Sequence, residues 1–134
     1  MNILIVDDQV IYRETLRAML EPHGKCVVAE DGVQAVQAFQ NALEANNPFQ
    51  LVLLDIQMPN LDGQGALLQM RQLEKQKFGV MLTAHQYAHI IMQTSLDSPA
   101  QLTTAFKEGR CNGYIVKPVD EDELLERLRR HGLL

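Results

Sequence analysis

The sequence has no unbroken apolar run approaching the roughly 18 residues that cross a bilayer. Its first residues, Met1-Asn2-Ile3-Leu4-Ile5-Val6-Asp7-Asp8, are also unlike a secretory leader, because no basic segment precedes the short apolar run and acids follow it at once. No membrane partner is expected, and the cytoplasm is the expected compartment. Cysteine is scarce. Cys26 and Cys111 lie far apart, without CxxC spacing or a neighbouring histidine pair, which speaks for neutral thiols and against a disulfide framework or zinc site. Positive charge is in deficit as well: 12 Lys and Arg against 17 Asp and Glu leave a net charge of −5, which argues against nucleic acid as the primary partner. His23, His85, His89 and His131 have no ligand or catalytic spacing and are expected at the surface or in satisfied core positions. Internal repeats and linker-like segments are missing, so residues 1–134 read as one domain.

With 134 residues, 46% of them apolar, the chain is long enough to bury a core without metal or disulfide staples. Its centre is Leu51-Val52-Leu53-Leu54-Asp55, followed by Ile56-Gln57-Met58-Pro59 and Asp62-Gly63. Four consecutive apolar residues predict a strand buried on both faces, since a half-exposed strand would alternate. An aspartate at its tip is costly to bury unpaired and should face a crevice holding a cation or a reacting group. Met58-Pro59 forbids helix, and Asp62-Gly63 supplies a turn.

The rest of the chain repeats strand then helix. Asn2 to Val6 predicts a strand that runs into Asp7-Asp8, and Tyr12, Leu16, Met19 and Leu20 then share a helical core face that stops at Pro22 and Gly24. Lys25 to Ala29 is the second strand; Val36, Phe39 and Leu43 mark the second helix, ending near Asn46-Asn47-Pro48. After Gly63, the spacing of Ala66, Leu67, Met70 and Leu73 predicts a third helix, with Arg71, Glu74 and Lys75 on its polar face. Gln76 to Ala88 is too long for an ordinary connection and reads as a helix extension or inserted loop. His89 to Gln93 is expected as the fourth strand, leading into Thr94-Ser95, and Ser98-Pro99 opens a fourth helix. Tyr114 to Val116 is the fifth strand, Lys117-Pro118 follows it, and Asp120 caps a last helix with acids in its first turn and arginines in its last.

Five strands alternating with five helices predict an α/β fold, a doubly wound parallel sheet with helices on both faces and its site at the carboxyl ends of the strands. There the chain places Asp7, Asp8, Asp55, Thr94, Ser95 and Lys117. Clustered carboxylates repel, and magnesium is the natural remedy because it takes one or two of them and keeps positions for water and phosphate oxygens. Asp8 and Asp55 are the expected direct ligands. A lysine with no carboxylate of its own to pair with suits the oxygens of a phosphoryl group, Thr94 adds a hydroxyl, and a carboxylate can serve as nucleophile.

Asp7-Asp8, Asp55, Met58-Pro59, Asp62-Gly63, Thr94 with small Ser95, Tyr114 and Lys117-Pro118 together resemble the receiver domain of bacterial two-component response regulators, over nearly the whole chain. The resemblance implies a flavodoxin-like strand order of 2-1-3-4-5. It implies that Asp55 takes a phosphoryl group from a phosphohistidine on a sensor histidine kinase or phosphotransfer protein. Asp8, Asp55 and the backbone carbonyl of Gln57 would hold Mg2+, with Asp7 placing a water and Lys117 aimed into the crevice across a cis peptide to Pro118. Phosphorylation would switch binding of a downstream protein target at the surface of the fourth helix, fifth strand and fifth helix, with Thr94 and Tyr114 moving toward the phosphate. Because the chain stops soon after its last helix, a stand-alone receiver is expected. A receiver trimmed from a larger regulator is an alternative. Another is an aspartyl-phosphate hydrolase of the haloacid dehalogenase type, but that enzyme wants a second aspartate two residues after its nucleophile, where this chain has Gln57.

Two stretches compete for the fourth strand, since Val80-Met81-Leu82-Thr83-Ala84 also looks like a strand ending in threonine and a small residue. His89 to Ser95 is preferred. Choosing Thr83 would leave the apolar Ile90 to Met92 run in a connection with no buried face.

Overall fold

The computed structural model describes residues 1–79, 87–95 and 111–134. Its strands are β1 (Asn2–Val6), β2 (Lys25–Ala29), β3 (Leu51–Asp55), β4 (His89–Thr94) and β5 (Gly113–Val116), and its helices are α1 (Val10–Leu20), α2 (Gly32–Glu44), α3 (Gly63–Phe78) and α4 (Glu121–Arg130). All strand pairings are parallel, in the order β2-β1-β3-β4-β5. This is the α/β, flavodoxin-like arrangement expected. The fourth strand is the His89 segment, hydrogen-bonded to β3 on one side and β5 on the other. Val80–Ala84 and the helix opening at Ser98 lie outside the described residues, so the fifth helix of the sequence reading is α4 here.

Leu51 to Leu54 are fully buried, because β3 is the middle strand and each of its faces is covered. Alternation then divides the core in two. Val52 and Leu54 join Ala35, Phe39 and Leu43 of α2 and Ala66, Leu67 and Met70 of α3, whereas Leu51 and Leu53 join Leu16 and Leu20 of α1 and Leu124 and Leu128 of α4. Full burial of each valine, leucine, phenylalanine or methionine among them is worth about 1.5–3 kcal/mol. Any one-residue slip of β3 would exchange the two sets and turn Asp55 away from its crevice.

The helix starts follow side-chain chemistry. Asp31, Asp62 and Asp120 each accept a hydrogen bond from the backbone N–H three residues on, so Asp62-Gly63, read as a turn, is also a helix cap. Gly63 donates its N–H to the Ile56 carbonyl oxygen at 2.8 Å, and a Cβ there would overlap the Asp55 carbonyl. Glycine is needed for that close approach, which presses α3 against the end of β3. Asn60, at φ 69°, takes the left-handed conformation in the intervening loop and donates to Asp31 at 3.0 Å.

Two residues assigned to the polar face of α3 are buried instead. Arg71 is 8% exposed and Glu74 1%, while Lys75 is exposed as expected. Their helical spacing is compatible with either face, and the choice is made by Ala88 and Asn112, which offer the partners that burial demands. Arg71 Nη1 donates to Glu74 Oε1 at 2.8 Å and to the Ala88 carbonyl at 2.9 Å, its Nη2 donates to Asn112 Oδ1 at 2.8 Å, and Ala88 N–H donates to Glu74 Oε2 at 2.6 Å. Helix α3 also continues to Phe78, so the overlong connection is in part a helix extension.

Candidate functional site

Because β1 and β3 are adjacent and parallel, Asp7 and Asp8 leave the sheet beside Asp55. One oxygen from each of the three carboxylates lies within 4.8 Å of the others. Asp7 and Asp55 are buried and Asp8 is exposed. Lys117, the residue after β5 and joined to Pro118 by a cis peptide bond, sets its Nζ 2.8 Å from Asp7 Oδ2 and 3.1 Å from Asp55 Oδ2. Lys117 therefore does have carboxylates to pair with. Neither acid is near it in sequence, and only the parallel order of β1, β3, β4 and β5 brings them within ion-pair distance.

Burial pushes the Asp55 carboxyl up to about 6; Lys117 opposes that shift and Asp7 adds to it. At neutral pH Asp55 is still mostly ionised, the form a nucleophile needs. Burial acts downward on the Lys117 ammonium, but hydrogen bonding to Asp7 and the charges of Asp55 and Asp7 outweigh it and hold the group above the ordinary lysine value.

Asp8, Asp55 and Lys117 open into a crevice of about 440 Å³ lined also by Gln9, Tyr12, Gln57, Gln93, Thr94 and Ser95. Gln57 donates its N–H to Asp55 Oδ1 at 3.3 Å, and Thr94, 5% exposed, directs its hydroxyl to the Ser95 carbonyl at 3.0 Å. The backbone of Lys117 donates to the Thr94 carbonyl at 2.8 Å, which locks the ends of β4 and β5 together. Two candidates do not line this crevice: Asp7 is fully buried, and Tyr114 stands on β5 with 40% of its surface exposed. The three carboxylates form an all-oxygen donor set, as magnesium prefers and zinc does not, and the pairing of two buried acids to one lysine leaves excess negative charge for a cation to offset.

Three site residues escaped the sequence reading. Tyr12 was assigned to the core face of α1 because it is four residues before Leu16, yet it is only half-buried and forms a crevice wall. Gln93, fully buried next to Asp55 in the sheet, donates to the Val6 carbonyl at 3.3 Å, while its Oε1 has no partner among the described residues. A glutamine inside an apolar strand was the signal available. Arg13 is buried and donates to the Asp7 carbonyl at 2.9 Å, fixing α1 to the end of β1. Of the histidines, His89 is half-buried, its ring tilted at 44° to that of His131 with centroids 4.6 Å apart and its Nε2 unpartnered among the described residues, so it is neither the surface nor the satisfied core residue expected.

Comparison with known proteins agrees with this geometry. The chain is 33% identical to the chemotaxis protein CheY of Bacillus subtilis, covering 96% of this chain and 95% of that protein. Other relatives, among them the response regulator MprA of Mycobacterium, are about twice as long as this chain. The structure of chemotaxis protein CheY4 of Vibrio cholerae superposes with a TM-score of 0.77 at 27% identity, covering 96% of both chains. The receiver domain of Saccharomyces cerevisiae Ssk1, solved together with the histidine phosphotransfer protein Ypd1, gives a TM-score of 0.75 at 30% identity, covering 95% of this chain and 85% of that one. No helix among the described residues is long and apolar enough to cross a membrane. Since the model of the response regulator receiver domain matches residues 3–129, the chain belongs to that family and is a signalling phosphoacceptor rather than a catalytic enzyme.

Proposed function

We propose that Asp55 is the phosphoacceptor of a phosphorelay and that its donor is a phosphohistidine on a sensor kinase or phosphotransfer protein. The observation that carries this reading is the convergence of Asp7, Asp8, Asp55 and Lys117 at one crevice. A carboxylate oxygen of Asp55 attacks phosphorus, the phosphorus–nitrogen bond breaks, and the imidazole leaves with a proton. Lys117 follows the negative charge from the carboxylate to the phosphoryl oxygens, and Thr94 turns its hydroxyl from the Ser95 carbonyl toward them. Asp8, Asp55 and the backbone carbonyl of Gln57 would hold Mg2+, with Asp7 placing a water, and the ion would offset the charge of the acids and of the incoming phosphoryl group.

The output is binding of a downstream protein target. The surface includes β5 and α4, where exposed Tyr114 responds to the displacement of Thr94 at the neighbouring strand end. Support comes from the Ssk1 receiver, whose co-crystal partner is a histidine phosphotransfer protein. The test is to incubate the chain with acetyl phosphate and Mg2+ and read the added mass. Wild type should gain one phosphoryl group and Asp55→Asn none; full labelling of Asp55→Asn would sink the proposal.

A further inference from the structure

The Lys117 ammonium has three N–H groups. Its nitrogen lies within ion-pair distance of Asp7 Oδ2, at 2.8 Å, and of Asp55 Oδ2, at 3.1 Å, and the Tyr12 ring lies over it with its centroid 4.6 Å away. A cation at that distance from a ring face is attracted by the ring quadrupole, more strongly as water is excluded. The Lys117 side chain is only 13% exposed. Tyr12 is also held in register, because both ends of the first turn of α1 are tied to Asp7: Gln9 N–H donates to Asp7 Oδ1 at 2.9 Å and Arg13 donates to the Asp7 carbonyl at 2.9 Å. The ring thus stands on the same residue that anchors the lysine.

We infer that Tyr12 is a positioning residue for Lys117, its ring face holding the ammonium in the crevice as the lysine transfers its contact from Asp55 to the phosphoryl oxygens. A carboxylate or amide in that place would fix the nitrogen by a directional hydrogen bond. A ring face imposes no such direction and lets the nitrogen slide while excluding water from that side. The chemistry at phosphorus is that proposed for Asp55, so the inference rests on that reading.

The test is the rate of phosphorylation by acetyl phosphate in Tyr12→Phe, Tyr12→Leu and Tyr12→Trp, each also in a Lys117→Met background, with denaturation curves for every variant. Tyr12→Phe and Tyr12→Trp should stay within about twofold of wild type, and Tyr12→Leu should lose about tenfold. In the Lys117→Met background the leucine should cost nothing further, since the interaction it removes is already absent. A leucine variant as fast as wild type, or one whose deficit persists without Lys117, would overturn the inference. A separate readout needs no phosphorylation: the Lys117 ε-methylene protons should be shifted upfield by the ring in wild type and Tyr12→Phe, and not in Tyr12→Leu. If wild type takes up no phosphoryl group, the phosphoacceptor reading falls, and the presence or absence of that shift still decides the placement of Lys117 by Tyr12.

Discussion

At the scale of single residues, the site is an exercise in charge. Asp8 is the exposed member of the acidic cluster and one of the two direct carboxylates proposed for Mg2+. Asp8→Asn should therefore weaken Mg2+ binding at least tenfold, about 1.4 kcal/mol, in an isothermal titration; an unchanged isotherm would remove Asp8 from the ligand set. Buried Asp55 and half-buried His89 should set opposite pH dependences of stability. Burial raises Asp55 from 3.8 to about 6, so the folded state binds its proton more tightly and stability is lost as pH rises through that window. Burial, helped by His131, Arg71 and Arg127, lowers His89 from 6.5 to about 4, so the unfolded state binds that proton more tightly and stability is lost as pH falls through it. Relative to wild type in a chelator, Asp55→Asn should gain stability as pH rises from 4 to 6, and His89→Gln should lose it. Urea denaturation across that range distinguishes the two, and parallel curves would contradict both shifts.

At the scale of elements, helix α3 shows where sequence pattern stops. Its apolar face was legible from Ala66, Leu67 and Met70, all fully buried. The burial of Arg71 and Glu74 was not, because periodicity ranks residues by hydrophobicity and cannot see partners that arrive from Ala88 and Asn112. Arg71→Met strands a buried glutamate and should destabilise by about 3–5 kcal/mol, whereas Arg71→Met with Glu74→Leu should recover most of that loss. Equal losses in the single and double variants would show that packing, not charge, holds the helix here. The strand ends carry the signalling prediction. Thr94→Ala should leave phosphorylation largely intact and weaken phosphorylation-dependent partner binding, and Tyr114→Ala should do the same. If Tyr114→Ala abolishes labelling as well, Tyr114 is a packing residue of β5 and not part of the response.

At the scale of the whole molecule, the proposed Mg2+ site predicts that metal binding stabilises the fold. A site formed by β1 and β3 exists only when the sheet does, so Mg2+ at 100 times its dissociation constant should add about 2.7 kcal/mol to unfolding. Asp55→Asn and Asp8→Asn should reduce that gain in thermal scans, and an equal gain in all three proteins would place the ion elsewhere. What the sequence by itself determined, among the described residues, is the strands and helices and the residues at their ends: a short continuous apolar run bounded by turn signals favours a doubly covered strand, the Asp-Gly pairs favour a turn or a cap, and Ile90 to Met92 needs a buried face. These are local requirements, met by short-range chemistry. Tertiary structure alone decided which polar groups meet. The pairing of Lys117 with Asp7 and Asp55, the Tyr12 ring over its nitrogen, Gln93 beneath the site and the buried Arg71–Glu74 pair all join residues from different elements. A polar side chain's place depends on the partner that compensates its burial, and that partner is fixed only when parallel strands from distant parts of the chain end side by side.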